Sequence, residues 1–121
     1  MIMVKLKLLL VDDDKNTLDG LVTILKRDGY NVSGVLSGFE ALKLLSRQQF
    51  DVMITDVNMP GMDGLDLIRE IRKREVSVAI VVISANSSVK TLSDVANGLS
   101  CDYYLTKPVN IRELEAILEN L

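Results

Sequence analysis

The stretch Leu8-Leu9-Leu10-Val11-Asp12-Asp13-Asp14 decides how this chain folds. Four aliphatic residues in succession have the length and make-up of a strand buried on both faces, and the abrupt change to carboxylates marks its end at water. The same event recurs along the chain. Val52-Met53-Ile54-Thr55 ends in Asp56, Ile80-Val81-Val82-Ile83 ends in Ser84, and Tyr103-Tyr104-Leu105-Thr106 ends in Lys107. Each run is followed by a helix-like segment, and alternation of this kind implies a parallel sheet. Function in such sheets collects at the carboxyl ends of the strands. Three carboxylates, a hydroxyl and an amine are therefore expected to meet at one edge.

Composition sets the frame for that reading. The 121 residues suit one domain over positions 1–121, large enough to bury a real core. Hydrophobic residues make up 48% and charged residues 26%, a globular balance. Aromatics are only 4%, with no Trp, so Leu, Ile and Val must build the core. A net charge of -3 leaves no electrostatic footprint for nucleic acid, and no apolar run approaches the ~20 residues of a membrane span. The opening Met1-Ile2-Met3-Val4-Lys5-Leu6-Lys7 is broken by two lysines and does not read as a signal peptide. The lone Cys101 excludes a disulfide framework, fits a reducing compartment, and reads as a small buried apolar residue. A cytoplasmic location is the expectation.

Five strand–helix units follow from the pattern. The first strand is placed at about Lys5–Val11, with a helix from about Lys15 to Asp28 whose Leu18, Leu21, Val22 and Leu25 share one face. Gly29 marks its stop. A weaker strand spans about Tyr30–Leu36, and Ser37-Gly38 turns into a helix with Ala41, Leu42 and Leu45 inward. After the third strand, Val57-Asn58-Met59-Pro60-Gly61-Met62 is a loop, and Asp63 can cap a helix burying Leu65, Ile68 and Ile71 and showing Arg69, Glu70, Arg72 and Lys73 to water. The fourth strand is about Val78–Ile83, and a last helix of about Ile111–Asn120 turns Ile111, Leu114, Ile117 and Leu118 inward. Ser87–Leu99 keeps helical spacing, but its Ser, Thr, Asn and Gly filler makes it the least stable helix expected.

Singly, the strand-end residues have ordinary explanations: an N-cap among Asp12, Asp13 and Asp14, a turn residue at Asp56, a strand end at Ser84, a solvated Lys107. Capping needs one carboxylate, not three. Packed together, Asp12, Asp13 and Asp56 repel one another, a conflict that a divalent cation resolves. Magnesium suits such a site because it takes one or two carboxylates, keeps several waters and leaves room for phosphate oxygens. Lys107 and Ser84 then offer a positive charge and a hydroxyl to an incoming phosphoryl group, and a carboxylate beside the metal is a suitable nucleophile. In a sheet of order 2-1-3-4-5 the first and third strands flank the switch point, where both aspartate groups lie.

These motifs together resemble the receiver domain of two-component response regulators. The resemblance rests on Leu9-Leu10-Val11-Asp12-Asp13-Asp14, Ile54-Thr55-Asp56-Val57-Asn58-Met59-Pro60-Gly61-Met62-Asp63-Gly64, Val82-Ile83-Ser84-Ala85 and Tyr104-Leu105-Thr106-Lys107-Pro108, with Ser37-Gly38-Phe39-Glu40-Ala41-Leu42 in support. It implies a flavodoxin-like (βα)5 doubly wound fold of five parallel strands. It implies Asp56 as phosphoacceptor, Asp13 as a direct Mg2+ ligand, Asp12 acting mainly through water, and the Asn58 backbone carbonyl completing the protein ligands. Ser84 and Lys107 would contact the phosphoryl oxygens, Tyr104 would be the aromatic switch residue, Asp14 a cap, and the Lys107–Pro108 peptide cis. Lys107 is expected to find its main partner only at the charged site. Asn58 and Asn86 stand where receivers tune access of the hydrolytic water.

The implied partners are a histidine kinase or histidine phosphotransfer protein and an output domain or downstream protein, with no direct nucleic acid and no membrane. With no His of its own, the chain must receive its phosphoryl group from outside. Because receivers are commonly joined to output domains, a larger polypeptide is expected. The switching face would be the fourth helix, fifth strand and fifth helix. No turnover is expected beyond slow self-dephosphorylation. Two departures stand out: Leu99-Ser100-Cys101-Asp102-Tyr103 replaces the family's Gly-Ala-Asp-Asp-type run, and Ile117 stands where receivers that dimerise through the fourth and fifth helices often carry arginine. Alternatives are a degenerate receiver serving only as a binding module, or an aspartyl-phosphate phosphatase. The phosphatase would want an Asp where this chain has Asn58.

Overall fold

In a computed structural model, residues 5–85 and 101–121 are described. Strand and helix alternate as β1 (Lys7–Val11), α1 (Lys15–Arg27), β2 (Asn31–Val35), α2 (Gly38–Leu45), β3 (Val52–Asp56), α3 (Gly64–Lys73), β4 (Ala79–Ser84), β5 (Tyr103–Thr106) and a last helix, Ile111–Glu119. All strand pairs are parallel, and the order is 2-1-3-4-5 as the alternation predicts. The helix expected over Ser87–Leu99, and Asn86 before it, lie outside the described residues.

The aliphatic runs fall on the inner strands. Leu8 to Val11, Val52 to Asp56 and Ile80 to Ser84 are buried throughout. Alternation along them feeds two cores. On one side of the sheet Leu9, Val11, Met53, Ile80 and Val82 pack with Ala41 and Leu42 of α2 and Leu67, Ile68 and Ile71 of α3. On the other, Leu8, Leu10, Ile54, Val81 and Ile83 pack with Leu18 and Leu25 of α1 and Leu114 and Leu118 of the last helix.

Helix ends follow local chemistry. The Asp14 carboxylate accepts from the N–H groups of Asn16 at 3.0 Å and Thr17 at 3.3 Å, the Ser37 hydroxyl from Glu40, Asp63 from Asp66 and Asn110 from Glu113. Gly29, at φ 95°, closes α1: its N–H bonds to the Lys26 carbonyl and that of Tyr30 to the Leu25 carbonyl. The same paired bonds close α3 through Glu75, a non-glycine residue at φ 57°.

Three packing expectations are corrected. In α3 it is Leu67, not Leu65, that joins Ile68 and Ile71 in the core, while Leu65 is half-buried. Arg72 is not simply shown to water. Its guanidinium reaches back to donate to the Val78 carbonyl at 3.3 Å, 4.0 Å from the Asp102 carboxylate. And Tyr103-Tyr104-Leu105-Thr106 is an edge strand in which only Leu105 is fully buried, because among the described residues no strand pairs beyond it in the sheet. Cys101 is half-buried against the α2–α3 core, and burial pushes its thiol pKa up, as fits a packing residue.

Candidate functional site

The carboxyl ends of β1, β3 and β4 carry Asp12, Asp56 and Ser84 into one corner, and all three are buried. Asp12 sits one residue past β1, its N–H donating to the Val35 carbonyl at 3.2 Å. One of its carboxylate oxygens accepts from the Asp14 N–H at 2.9 Å, turning the side chain over the edge. Asp13 follows with its side chain exposed. Asp56 ends β3 and accepts from the Asn58 N–H at 3.1 Å through Oδ1. One carboxylate oxygen from each of Asp12, Asp13 and Asp56 lies within 4.8 Å of the other two.

Lys107 completes the corner. Its backbone N–H donates to the Ser84 carbonyl at 2.9 Å, which extends the β4–β5 ladder and fixes where the side chain departs. The ammonium lies 2.7 Å from Asp56 Oδ2 and 3.3 Å from Asp12 Oδ2. The peptide to Pro108 is cis. Lys107 is thus held by both aspartates, at the charged site where its main partner was expected. Tyr104 lies opposite Val82 in the ladder, half-buried against the α2–α3 core.

The electrostatics follow from burial and crowding. Desolvation raises the Asp12 pKa above its ordinary 3.8, and Asp56 adds to that, while the Asp14 N–H and Lys107 pull it down. Between 3.8 and its raised value the folded chain keeps a proton that the unfolded chain has released. Stability from this group is therefore fullest below 3.8 and is lost as pH rises through that window. For Lys107, burial lowers the pKa, but its hydrogen bond and attraction to Asp56, with Asp12 in support, leave it above 10.5. Its stabilisation is complete below 10.5 and is lost only in stronger base.

Three carboxylates face one ammonium, so the cluster carries an excess of negative charge when all are ionised. The donor set is oxygen only, which suits a hard divalent cation. A backbone feature that spacing alone could not reveal supports the corner. Gly64, the first residue of α3, lies against the Asp56 carbonyl so closely that a Cβ there would come 2.9 Å from the Val57 Cα. Its N–H donates to the Val57 carbonyl at 2.9 Å.

A parallel five-stranded sheet with this acidic corner and lysine defines an α/β domain of the receiver class. Residues 8–119 match the response regulator receiver domain, and the chain belongs to that family. It is 39% identical over 120 residues to the two-component response regulator ORR22 of Oryza sativa subsp. indica, covering 98% of this chain and 17% of that protein. It is 35% identical over 118 residues to the transcriptional regulatory protein TctD of Salmonella typhimurium, covering 96% of this chain and 51% of that one. The chain thus spans about half or less of these relatives' length. Among solved structures, a response regulator receiver protein from Pseudomonas putida superposes with TM-score 0.88 at 31% identity, covering 99% of this chain and all of that one. The response regulator TrrA of Thermotoga maritima, solved in complex with Mg(2+)-BeF, does so at 0.83 and 30% identity, covering 98% of both chains. No helix among the described residues is long and apolar enough to cross a membrane.

Proposed function

We propose that this domain accepts a phosphoryl group on Asp56 from a partner histidine kinase or histidine phosphotransfer protein, in a reaction that depends on Mg2+. The observation that carries the reading is the Asp56 carboxylate at the end of a central strand, with Asp12 and Asp13 beside it and the Lys107 ammonium 2.7 Å away. An Asp56 oxygen attacks phosphorus, the bond from phosphorus to the donor breaks, and its electron pair leaves with the donor. Lys107 stays at the carboxylate as the phosphoryl charge arrives, and Ser84 supplies a hydroxyl at the end of the adjacent strand. Asp12, Asp13, Asp56 and the Asn58 carbonyl would hold Mg2+, which neutralises charge between carboxylate and phosphate when bound. That TrrA is known with Mg(2+)-BeF supports the choice of metal.

In this reading the domain is a switch rather than a turnover catalyst, with only slow self-dephosphorylation. Ser84 and Tyr104 relay the change to the face of β5 and the last helix, where an output domain or downstream protein reads it. A cytoplasmic setting accords with the lone Cys101. Incubation with acetyl phosphate and Mg2+ is expected to add one phosphoryl group per chain by intact mass, and a chelator to prevent it. A chain that stays unmodified under these conditions overturns the reading.

The acidic corner makes a second prediction. Asp12 is buried and Asp13 exposed, and at Asp12 desolvation first, then the charge of Asp56, disfavours the ionised form. Asp12→Asn keeps an oxygen for the Asp14 N–H and is expected to raise metal-free stability at neutral pH by about 0.5–1 kcal/mol. It should also flatten the pH dependence above 3.8. Asp13→Ala is expected to leave metal-free stability within about 0.5 kcal/mol. Both should lose the stabilisation that millimolar Mg2+ gives the unsubstituted protein. Urea midpoints with and without Mg2+ measure all of this, and an unchanged Mg2+ response in Asp13→Ala would rule out its place as a ligand.

A further inference from the structure

The residue before Asp56 has no part in the chemistry above. Thr55 is wholly buried. Register places it between Val11 of β1 and Val82 of β4, in a cross-strand row that runs Val35, Val11, Thr55, Val82, Tyr104. A hydroxyl in an otherwise aliphatic slot is costly unless it is bonded, and valine would fill the same space without that cost. Here the hydroxyl donates to the backbone carbonyl of Asp56 at 3.0 Å.

That carbonyl belongs to the peptide group joining the proposed nucleophile to its loop. The N–H of the same peptide, from Val57, donates to the Ile83 carbonyl at 3.1 Å, and Gly64 closes against the carbonyl side. The Thr55 hydroxyl adds a side-chain restraint to a plane that backbone groups also hold. The Asp56 side chain leaves the chain one bond from this plane, and its Oδ1 meets the Asn58 N–H just beyond it. Rotation of the peptide would move both the carboxylate and the Asn58 backbone.

We propose that Thr55 is a positioning residue for phosphoryl transfer, its hydroxyl fixing the Asp56–Val57 peptide and thereby the aim of the Asp56 carboxylate. The inference rests on Asp56 being the phosphoacceptor. Attack on phosphorus needs near-attack geometry, and small misplacements of a reacting group lower rates by one to two orders of magnitude.

Two substitutions separate positioning from packing. Thr55→Val keeps the volume and removes the hydroxyl, whereas Thr55→Ser keeps the hydroxyl and removes a buried methyl. Thr55→Val is expected to fold with a urea midpoint near that of the unsubstituted protein, yet to take a phosphoryl group from acetyl phosphate about tenfold more slowly. Thr55→Ser is expected to be less stable but to react within about twofold of the unsubstituted rate. In the unphosphorylated protein, amide exchange at Asn58 should speed up in Thr55→Val and not in Thr55→Ser. Uptake that follows stability instead of the hydroxyl, or unchanged uptake and exchange in Thr55→Val, overturns the proposal. If the unsubstituted protein takes no phosphoryl group, the reading of Asp56 falls and this inference with it. Normal uptake with an indifferent Thr55 removes the inference alone.

Discussion

Asp56→Asn is expected to abolish phosphoryl uptake, a loss of roughly a thousandfold or more in rate, the scale on which deleting a nucleophile acts. The substitution is nearly isosteric. An amide oxygen can still accept from the Asn58 N–H, and the charge crowding Asp12 is relieved, although the ion pair with Lys107 is lost. These changes oppose one another, so the fold should persist with stability altered by about 1 kcal/mol or less. Intact mass after acetyl phosphate treatment, beside a urea melt, separates lost chemistry from lost structure. A variant that still gains a phosphoryl group on Asp12 or Asp13 would move the acceptor to that residue.

Gly64→Ala should give the largest effect on stability. The backbone at Gly64 has no left-handed φ that forbids a side chain, so the restriction is purely one of space. A Cβ there meets backbone on three counts: the Asp56 carbonyl oxygen, the Val57 Cα at 2.9 Å and the Asp56 carbonyl carbon at 3.0 Å. None of these is the yielding end of a flexible side chain. Either α3 moves away and gives up the bond from Gly64 to the Val57 carbonyl, or the Asp56 peptide turns. The expected loss is about 2–4 kcal/mol, with slowed phosphoryl uptake in whatever remains folded. Gly20→Ala is the control. It lies on an exposed stretch of α1 with nothing within 4 Å of the added Cβ, and should gain about 0.5–1 kcal/mol. Equal urea midpoints for Gly64→Ala and the unsubstituted protein would show that α3 does not need its close approach.

The topology and the acidic corner were legible because they rest on contrasts that sequence displays. A buried run that gives way to Asp is a strand meeting water, and two such ends on adjacent strands of a parallel sheet must converge. Gly29 announced the end of α1, since glycine readily takes positive φ. Glu75 closes α3 with the same bonds and gave no such signal, because tertiary packing overrode its preference. The choice between Leu65 and Leu67 was not legible either. Both are leucines near the start of α3, and the helix phase is set by where the loop from Asp56 delivers Gly64. Lys107 was expected at the same edge as Asp12 and Asp56, but its distances to them, across 95 and 51 residues of chain, were not legible. Gly64 ends a recognisable motif, yet its steric role exists only once α3 and β3 lie together.

The two-sided core has a consequence for how such a domain can diversify. The sheet acts as a partition, with α1 and the last helix anchored in one layer and α2 and α3 in the other. Side chains in different layers share few neighbours, so substitutions on opposite sides should combine with little epistasis. One flank can therefore change its surface while the other keeps its own. The exception is the carboxyl edge, where Asp12, Asp56 and Lys107 tie residues from β1, β3 and the end of β5 into one ionic knot. Freedom to vary is thus greatest on the flanks and least where the strands end.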